Sequence, residues 1–265
     1  MLILLSPSKT QDFTSAPLIS DYKNLEFINE TENLAKIMRN FSAENLGKLM
    51  KISPNLSELN FQRFQNWNTD FSREKSGDTY LFKQAIFAFK GDVYRGINLD
   101  NWKKEEHDFA ESSLRILSGF YGVLTPQTLM KPYRLEMGTR LSFESEGMQY
   151  KNLYKFWQEK LTNYISRDFE TNNAGFILNL ASVEYSKAIN LAKFQDKVCN
   201  VDFKVLKNGE YKIVAIHAKR QRGEMSNWII ENKIEKMADL SVYSSSGFNF
   251  SRALSGKNNL VFVKE

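Results

Sequence analysis

The chain opens on an unbroken apolar run, Leu2-Ile3-Leu4-Leu5, cut off by Ser6-Pro7-Ser8. Four apolar residues without alternation, ended by a turn signal, predict a short strand buried on both faces whose C-terminal end feeds a polar loop. Residues 30–38 and 44–52 carry apolar positions at helical spacing, with Ser42 placed to cap the second stretch, and residues 55–67 read as a third helix. In 105–117, Phe109, Leu114 and Leu117 fall on a helical period, which Gly119 is expected to stop. Thr125-Pro126 then predicts an N-cap with proline at the first helical position, opening a short helix that ends near Lys131-Pro132. Residues 152–168 show the clearest helical pattern, and 176–180 read as a strand. Residues 198–206 and 211–218 alternate like a β-hairpin joined at Asn208-Gly209, a favoured two-residue turn. Residues 225–237 return to helix, and 260–263 close the chain as a strand. Helices and strands mix without strict alternation. The expected fold is α/β (mixed α+β), a single compact domain over residues 1–265 with a mixed sheet surrounded by helices.

Composition narrows the chemistry. Lys and Arg number 36 against 31 Asp and Glu, giving a net charge of +5 and a pI near 9.0, mildly basic and compatible with a polyanionic partner. One cysteine excludes an intramolecular disulfide framework, and two histidines with that cysteine exclude a zinc site built mainly from Cys and His. No metal or cofactor is expected. The apolar N-terminus lacks the basic lead of a signal peptide, and no apolar run approaches the roughly 20 residues that span a bilayer. A soluble, cytoplasmic protein with no membrane partner is expected; the sequence leaves the oligomeric state open, with a monomer slightly favoured.

Basic residues cluster in two places. Lys219-Arg220-Gln221-Arg222 lies in a stretch with no acid between Glu210 and Glu224, and is expected where a strand passes into a helix. Cations there oppose the helix dipole unless an anion sits among them and the free N–H groups, so the cluster is either a solvated basic turn or a phosphate-binding corner. The second cluster spans 111–136, acid-free between Glu111 and Glu136, with Arg115, Lys131 and Arg134 around Gly119-Phe120-Tyr121-Gly122. A helix, a glycine-bounded turn and a short capped helix would resemble a helix-hairpin-helix DNA-binding element, whose glycines let backbone N–H groups approach phosphates. The glycine spacing is one residue longer than that motif prefers, and an ordinary turn remains an equal reading. Ser6, Ser8 and Lys9 in the loop after the first strand, Lys90 and Arg95 in Phe89-Lys90-Gly91-Asp92-Val93-Tyr94-Arg95, and Lys187 after Ser182-Val183-Glu184 are further candidate phosphate contacts. Nucleophilic catalysis finds little support: His107 reads as a surface residue, His217 as a half-buried strand residue, and Cys199 as core.

Laid side by side, several of these segments resemble the YaaA peroxide-stress protein family of bacteria. The resemblance is carried by Leu2 through Thr10, Ala88-Phe89-Lys90-Gly91-Asp92-Val93-Tyr94, Leu117-Ser118-Gly119-Phe120-Tyr121-Gly122-Val123-Leu124, Pro132-Tyr133-Arg134-Leu135-Glu136-Met137-Gly138, Asn179-Leu180-Ala181-Ser182, and Met225-Ser226 with Ile229-Ile230-Glu231-Asn232. It implies a cytoplasmic DNA-binding protein with a basic cleft and a helix-hairpin-helix element. Such a protein helps cells withstand hydrogen peroxide and limits damage from free intracellular iron. Two function classes follow. In the first, DNA is bound with little sequence specificity through Lys9, Lys90, Arg95, Arg115, Gly119, Gly122, Lys131, Arg134, Lys187, Lys219, Arg220 and Arg222. In the second, an enzyme acts on a nucleotide or another phosphorylated small molecule, with Ser6, Ser8 and Lys9 anchoring the anion and Glu184 or Asp92 as base.

Overall fold

The computed structural model of the chain describes residues 1–72 and 74–265. The opening apolar run is strand β1 (Leu2–Leu5), fully buried because it runs between two parallel neighbours with both faces covered. One neighbour is β2 (Leu114–Ser118), which turns back into antiparallel β3 (Gly122–Leu124); the other is β4 (Ile177–Asn179). Beyond β4 lies β5 (Val198–Lys207), which carries the short return strand β6 (Glu210–Lys212). Strands β7 (Ser244–Ser245), β8 (Phe248–Phe250) and β9 (Asn259–Lys264) complete a mixed nine-stranded sheet in the order β7-β8-β9-β5-β4-β1-β2-β3, with β6 on β5.

Helices α1 (Ile28–Arg39), α2 (Ala43–Met50), α3 (Pro54–Asn66) and α4 (Lys104–Ser113) lie between β1 and β2 in the chain. Helix α5 (Leu153–Thr171) joins β3 to β4, and α6 (Ala215–Glu231) follows β6. Their starts follow local chemistry: Ser42 Oγ accepts the Asn45 N–H, Asn152 Oδ1 accepts the Lys155 N–H, and proline opens α3. No helix among the described residues is long and apolar enough to cross a membrane.

Three expected elements are corrected. The helix of 105–117 stops at Ser113, and Leu114 to Ser118 form a central strand instead. The Ser112 and Ser113 hydroxyls both donate to the Phe109 carbonyl, a bond that competes with further helix, while Ile3 and Leu5 of β1 offer Leu114 and Ile116 a buried ladder. The short helix expected from Thr125 is a turn: Thr125 N–H donates to Thr128 Oγ1 and Thr128 N–H to the Thr125 carbonyl, after which Leu129–Met130 pairs with Lys83–Gln84. With a strand before Gly119 and a turn after Leu124, this stretch is a β-hairpin and not a helix-hairpin-helix element.

The hairpin at Asn208-Gly209 forms as its sequence predicts, both residues at positive φ, but its return strand ends at Lys212 rather than Ala218. The register gives the reason. Lys212 faces Val205, so a strand extended to His217 would reach Asn200, whose place on that side is taken by Asn179 of β4. The chain must leave the sheet, and it does so as α6.

Candidate functional site

The loop leaving β1 carries the chain towards β2, whereas the loop leaving β4 carries it the other way, towards β5. Between adjacent parallel strands whose connections diverge, a crevice opens at their C-terminal ends. Two serines tie its floor together: Ser6 Oγ accepts the Ser182 N–H at 2.8 Å and lies 3.3 Å from Ser182 Oγ. A third wall is the segment around Gly91, whose φ of +113° suits glycine and where a Cβ would stand 2.6 Å from Ser8 Oγ. Tyr94 fixes that wall by donating its hydroxyl to the Ser6 carbonyl at 3.0 Å.

The roof is α6. Its Gly223 meets the turn at Tyr94–Gly96 backbone to backbone, so closely that a Cβ would fall 1.7 Å from the Val93 carbonyl oxygen. That contact places the preceding turn of α6, with Lys219 and Arg222, over the crevice. The cavity between these walls is about 410 Å³ and opens to solvent. Four cations, Lys9, Arg95, Lys219 and Arg222, and three carboxylates, Asp92, Glu136 and Glu184, line it together with Ser6, Ser8, Thr10, Ser182 and Tyr185.

Most of these groups hold one another. Lys9 Nζ is 2.9 Å from Glu136 Oε2, Arg95 is 3.5 Å from Asp92, and Glu184 Oε1 accepts the Gly138 N–H at 2.9 Å. Ser8 Oγ accepts the Thr10 N–H. Burial pushes the Tyr185 phenol well above its ordinary pKa, with Tyr133 and Glu184 adding to the effect, so it remains a neutral hydroxyl. Arg222 differs from its neighbours. Burial lowers its pKa against the field of Asp202, and it pairs with no carboxylate among the described residues; its Nε is buried without an acceptor, as is that of Arg134 in an adjoining recess, whose guanidinium does reach Glu136.

Of the twelve residues expected to contact phosphate, Lys9, Arg95, Lys219 and Arg222 converge here. Arg134 sits in an adjoining recess, 3.6 Å from Glu136, and Lys90 flanks a neighbouring depression, 3.8 Å from Asp12. Lys187 and Arg220 are exposed, the latter paired with Glu224 at 2.8 Å. The remaining four lie elsewhere. Arg115 is buried, its guanidinium gripping both oxygens of Asp168 and three backbone carbonyls. Gly119 and Gly122 are buried too: a Cβ would strike the Leu135 carbonyl at the first and the Trp157 ring at the second, so neither offers backbone to a phosphate. Lys131 donates to Asn68 and to the Asp70 carbonyl.

His107 is not a surface residue but lies buried between the Phe87 and Trp102 rings, and His217 is exposed on α6 rather than half-buried in a strand. Sequence reasoning overlooked Glu136 as the partner of Lys9, which no local pattern announces across 127 positions. Tyr94 and Tyr185 were equally silent, since a buried aromatic reads as core. Among the described residues no group of three or more His, Cys, Asp or Glu side chains is arranged to hold a metal ion.

Fold and site together define an α/β protein with a mixed-charge cleft at the switch point of its sheet. A family model described as peroxide stress protein YaaA matches residues 1–254. UPF0246 proteins of Acaryochloris marina, Shewanella baltica (strain OS223) and Aliivibrio fischeri (strain ATCC 700601 / ES114) are 44%, 41% and 39% identical, covering the whole of this chain and 98–100% of their own. The chain belongs to the YaaA peroxide-stress protein family.

Proposed function

We propose that the protein serves the peroxide-stress response in the cytoplasm by binding DNA through phosphate charge, with little reading of base sequence, at the mouth of the switch-point cleft. DNA held there would be shielded from damage driven by intracellular iron. One observation supports the reading: cations from separate segments, Lys9, Arg95, Lys219 and Arg222, gather at one opening, with Arg220 exposed next to Lys219 in sequence and Lys187 exposed two residues after Tyr185 of the lining. Backbone charge is recognised by such a surface without a major-groove helix. Lys187→Glu combined with Lys219→Glu and Arg220→Glu is expected to abolish gel-shift binding of duplex DNA while far-UV circular dichroism stays that of the wild type. Wild-type affinity in the folded triple variant would remove this surface from DNA binding.

A second reading, an enzyme acting on a nucleotide or other phosphorylated small molecule, is favoured by the three carboxylates inside the same cavity. A polyanion gains nothing from Asp92, Glu136 and Glu184, whereas a small ligand with one anionic end and several hydrogen-bond donors does. Under this reading Glu184, held by the Gly138 N–H, is the candidate base.

A further inference from the structure

We propose that Arg222 is the seat of a single phosphate group belonging to a small phosphomonoester, of the mononucleotide class, bound inside the cleft. The proposal rests on the small-molecule reading of the cavity and is independent of DNA binding.

The sequence pointed to Ser6, Ser8 and Lys9 as the anion anchor, but Ser6 is taken up by Ser182 and Lys9 pairs with Glu136; Ser8 accepts the Thr10 N–H and can add at most its one hydroxyl proton, without charge. Arg95 faces Asp92. Arg222 is the guanidinium of the cavity that pairs with no carboxylate among the described residues. Its Nε is shut off from solvent with nothing to accept its hydrogen, and Asp202 reaches it only as a field. The enclosed Nε is out of a ligand's reach, but Arg222 as a whole is only half-buried and lines the cavity, and a phosphate presents the outer edge of a guanidinium with two acceptors at once. Lys219, three residues earlier on the same face of α6 and exposed, adds a second positive charge at the opening.

The rest of the cavity limits the ligand to one such group. Glu136 and Asp92 are matched by Lys9 and Arg95, but Glu184 pairs with no cation among the described residues, so it repels a second phosphate and accepts from donors such as sugar hydroxyls or an exocyclic amine. A volume of about 410 Å³ falls in the range of about 300–1,000 Å³ common for small-ligand pockets.

Isothermal titration with inorganic phosphate and with adenosine monophosphate, at fixed ionic strength in a chloride background, tests the assignment. Saturable binding of both is expected, with Arg222→Gln weakening it by about ten- to a hundredfold and Arg222→Lys, which keeps the charge but not the fork, falling between. Without ligand, Arg222→Gln should melt at or above the wild-type temperature, because it removes a half-buried cation that pairs with no carboxylate among the described residues. Wild-type protein that binds both probes while Arg222→Gln binds them within twofold would place the seat elsewhere and leave the small-molecule reading standing. Wild-type protein that binds neither would overturn that reading and the proposal with it. The DNA reading is separated by Lys187→Glu with Arg220→Glu alone, two exposed cations that do not line the cavity: gel shifts with that variant report on DNA, and its phosphate titration is expected to stay unchanged.

Discussion

Arg115 shows how a residue's neighbours decide its role. In the sequence it is a cation in an acid-free stretch; in the fold it is a buried side chain with five protein acceptors, supplied by Asp168 and the carbonyls of Glu111, Ser112 and Leu114. Asp168 lies 53 positions away, and nothing local connects them. His107 is a parallel case. Flanked by Glu106 and Asp108, it looks solvated, yet its ring is packed against Phe87 and Trp102, and burial lowers its pKa despite the two acids. Above a pH of about 6.5 the histidine is neutral in both folded and unfolded chains, and no stability is lost. As pH falls below that value the unfolded chain takes up a proton first, so stability declines until the lowered folded pKa is reached. Thermal melts between pH 8 and pH 5 should show this loss, and His107→Phe should flatten that part of the profile; an unchanged profile would assign the loss to other groups.

Helix α6 is an element whose position depends on missing side chains. Gly223 and Gly96 let it lie directly on the turn at Tyr94–Gly96: a Cβ on Gly96 would stand 2.5 Å from the Glu224 nitrogen, and one on Gly223 would overlap the Val93 carbonyl. Gly223→Ala must therefore lift the helix, at a cost of about 1–3 kcal/mol for overpacking, and with it Lys219 and Arg222. Denaturant unfolding should register the loss of stability, and phosphate titration a loss of affinity larger than that of Lys219→Ala. An alanine variant with wild-type stability would mean that the helix accommodates the methyl without moving. Helices α1, α2, α3 and α5 were legible because capping and apolar spacing are local properties of the chain. Strand β2 was not, since Leu114 and Leu117 satisfy a helical period as well as a buried strand, and only pairing with β1 chooses between them.

At the scale of the whole molecule, the net charge of +5 is not spread into a uniformly basic groove; at the cleft four cations meet three carboxylates. With Arg115 buried and Lys131 engaged elsewhere, about four phosphate contacts remain for DNA, giving a slope of log affinity against log salt near −4. Titrating two unrelated duplexes over a salt series should return that slope and similar affinities for both. A slope near zero, or a thousandfold preference for one sequence, would defeat the electrostatic account.

The sequence by itself determined the buried first strand, the capped helices, the Asn208-Gly209 turn and a chemistry without a Cys/His zinc site, because each depends on residue type and on neighbours a few positions away. It also held the family resemblance, written in short blocks from Leu2 to Asn232. Tertiary structure alone decided which cations face a common space. The loops after β1 and β4, separated by more than 170 residues, meet because parallel strands place their C-terminal ends together. Helix α6 enters the site because β4 blocks the growth of β6 and forces the chain out of the sheet. Charge partners were beyond reach for the same reason: an ion pair is set by distance in space, and Lys9 with Glu136, or Arg222 with no carboxylate among the described residues, are facts of packing that a linear pattern does not contain.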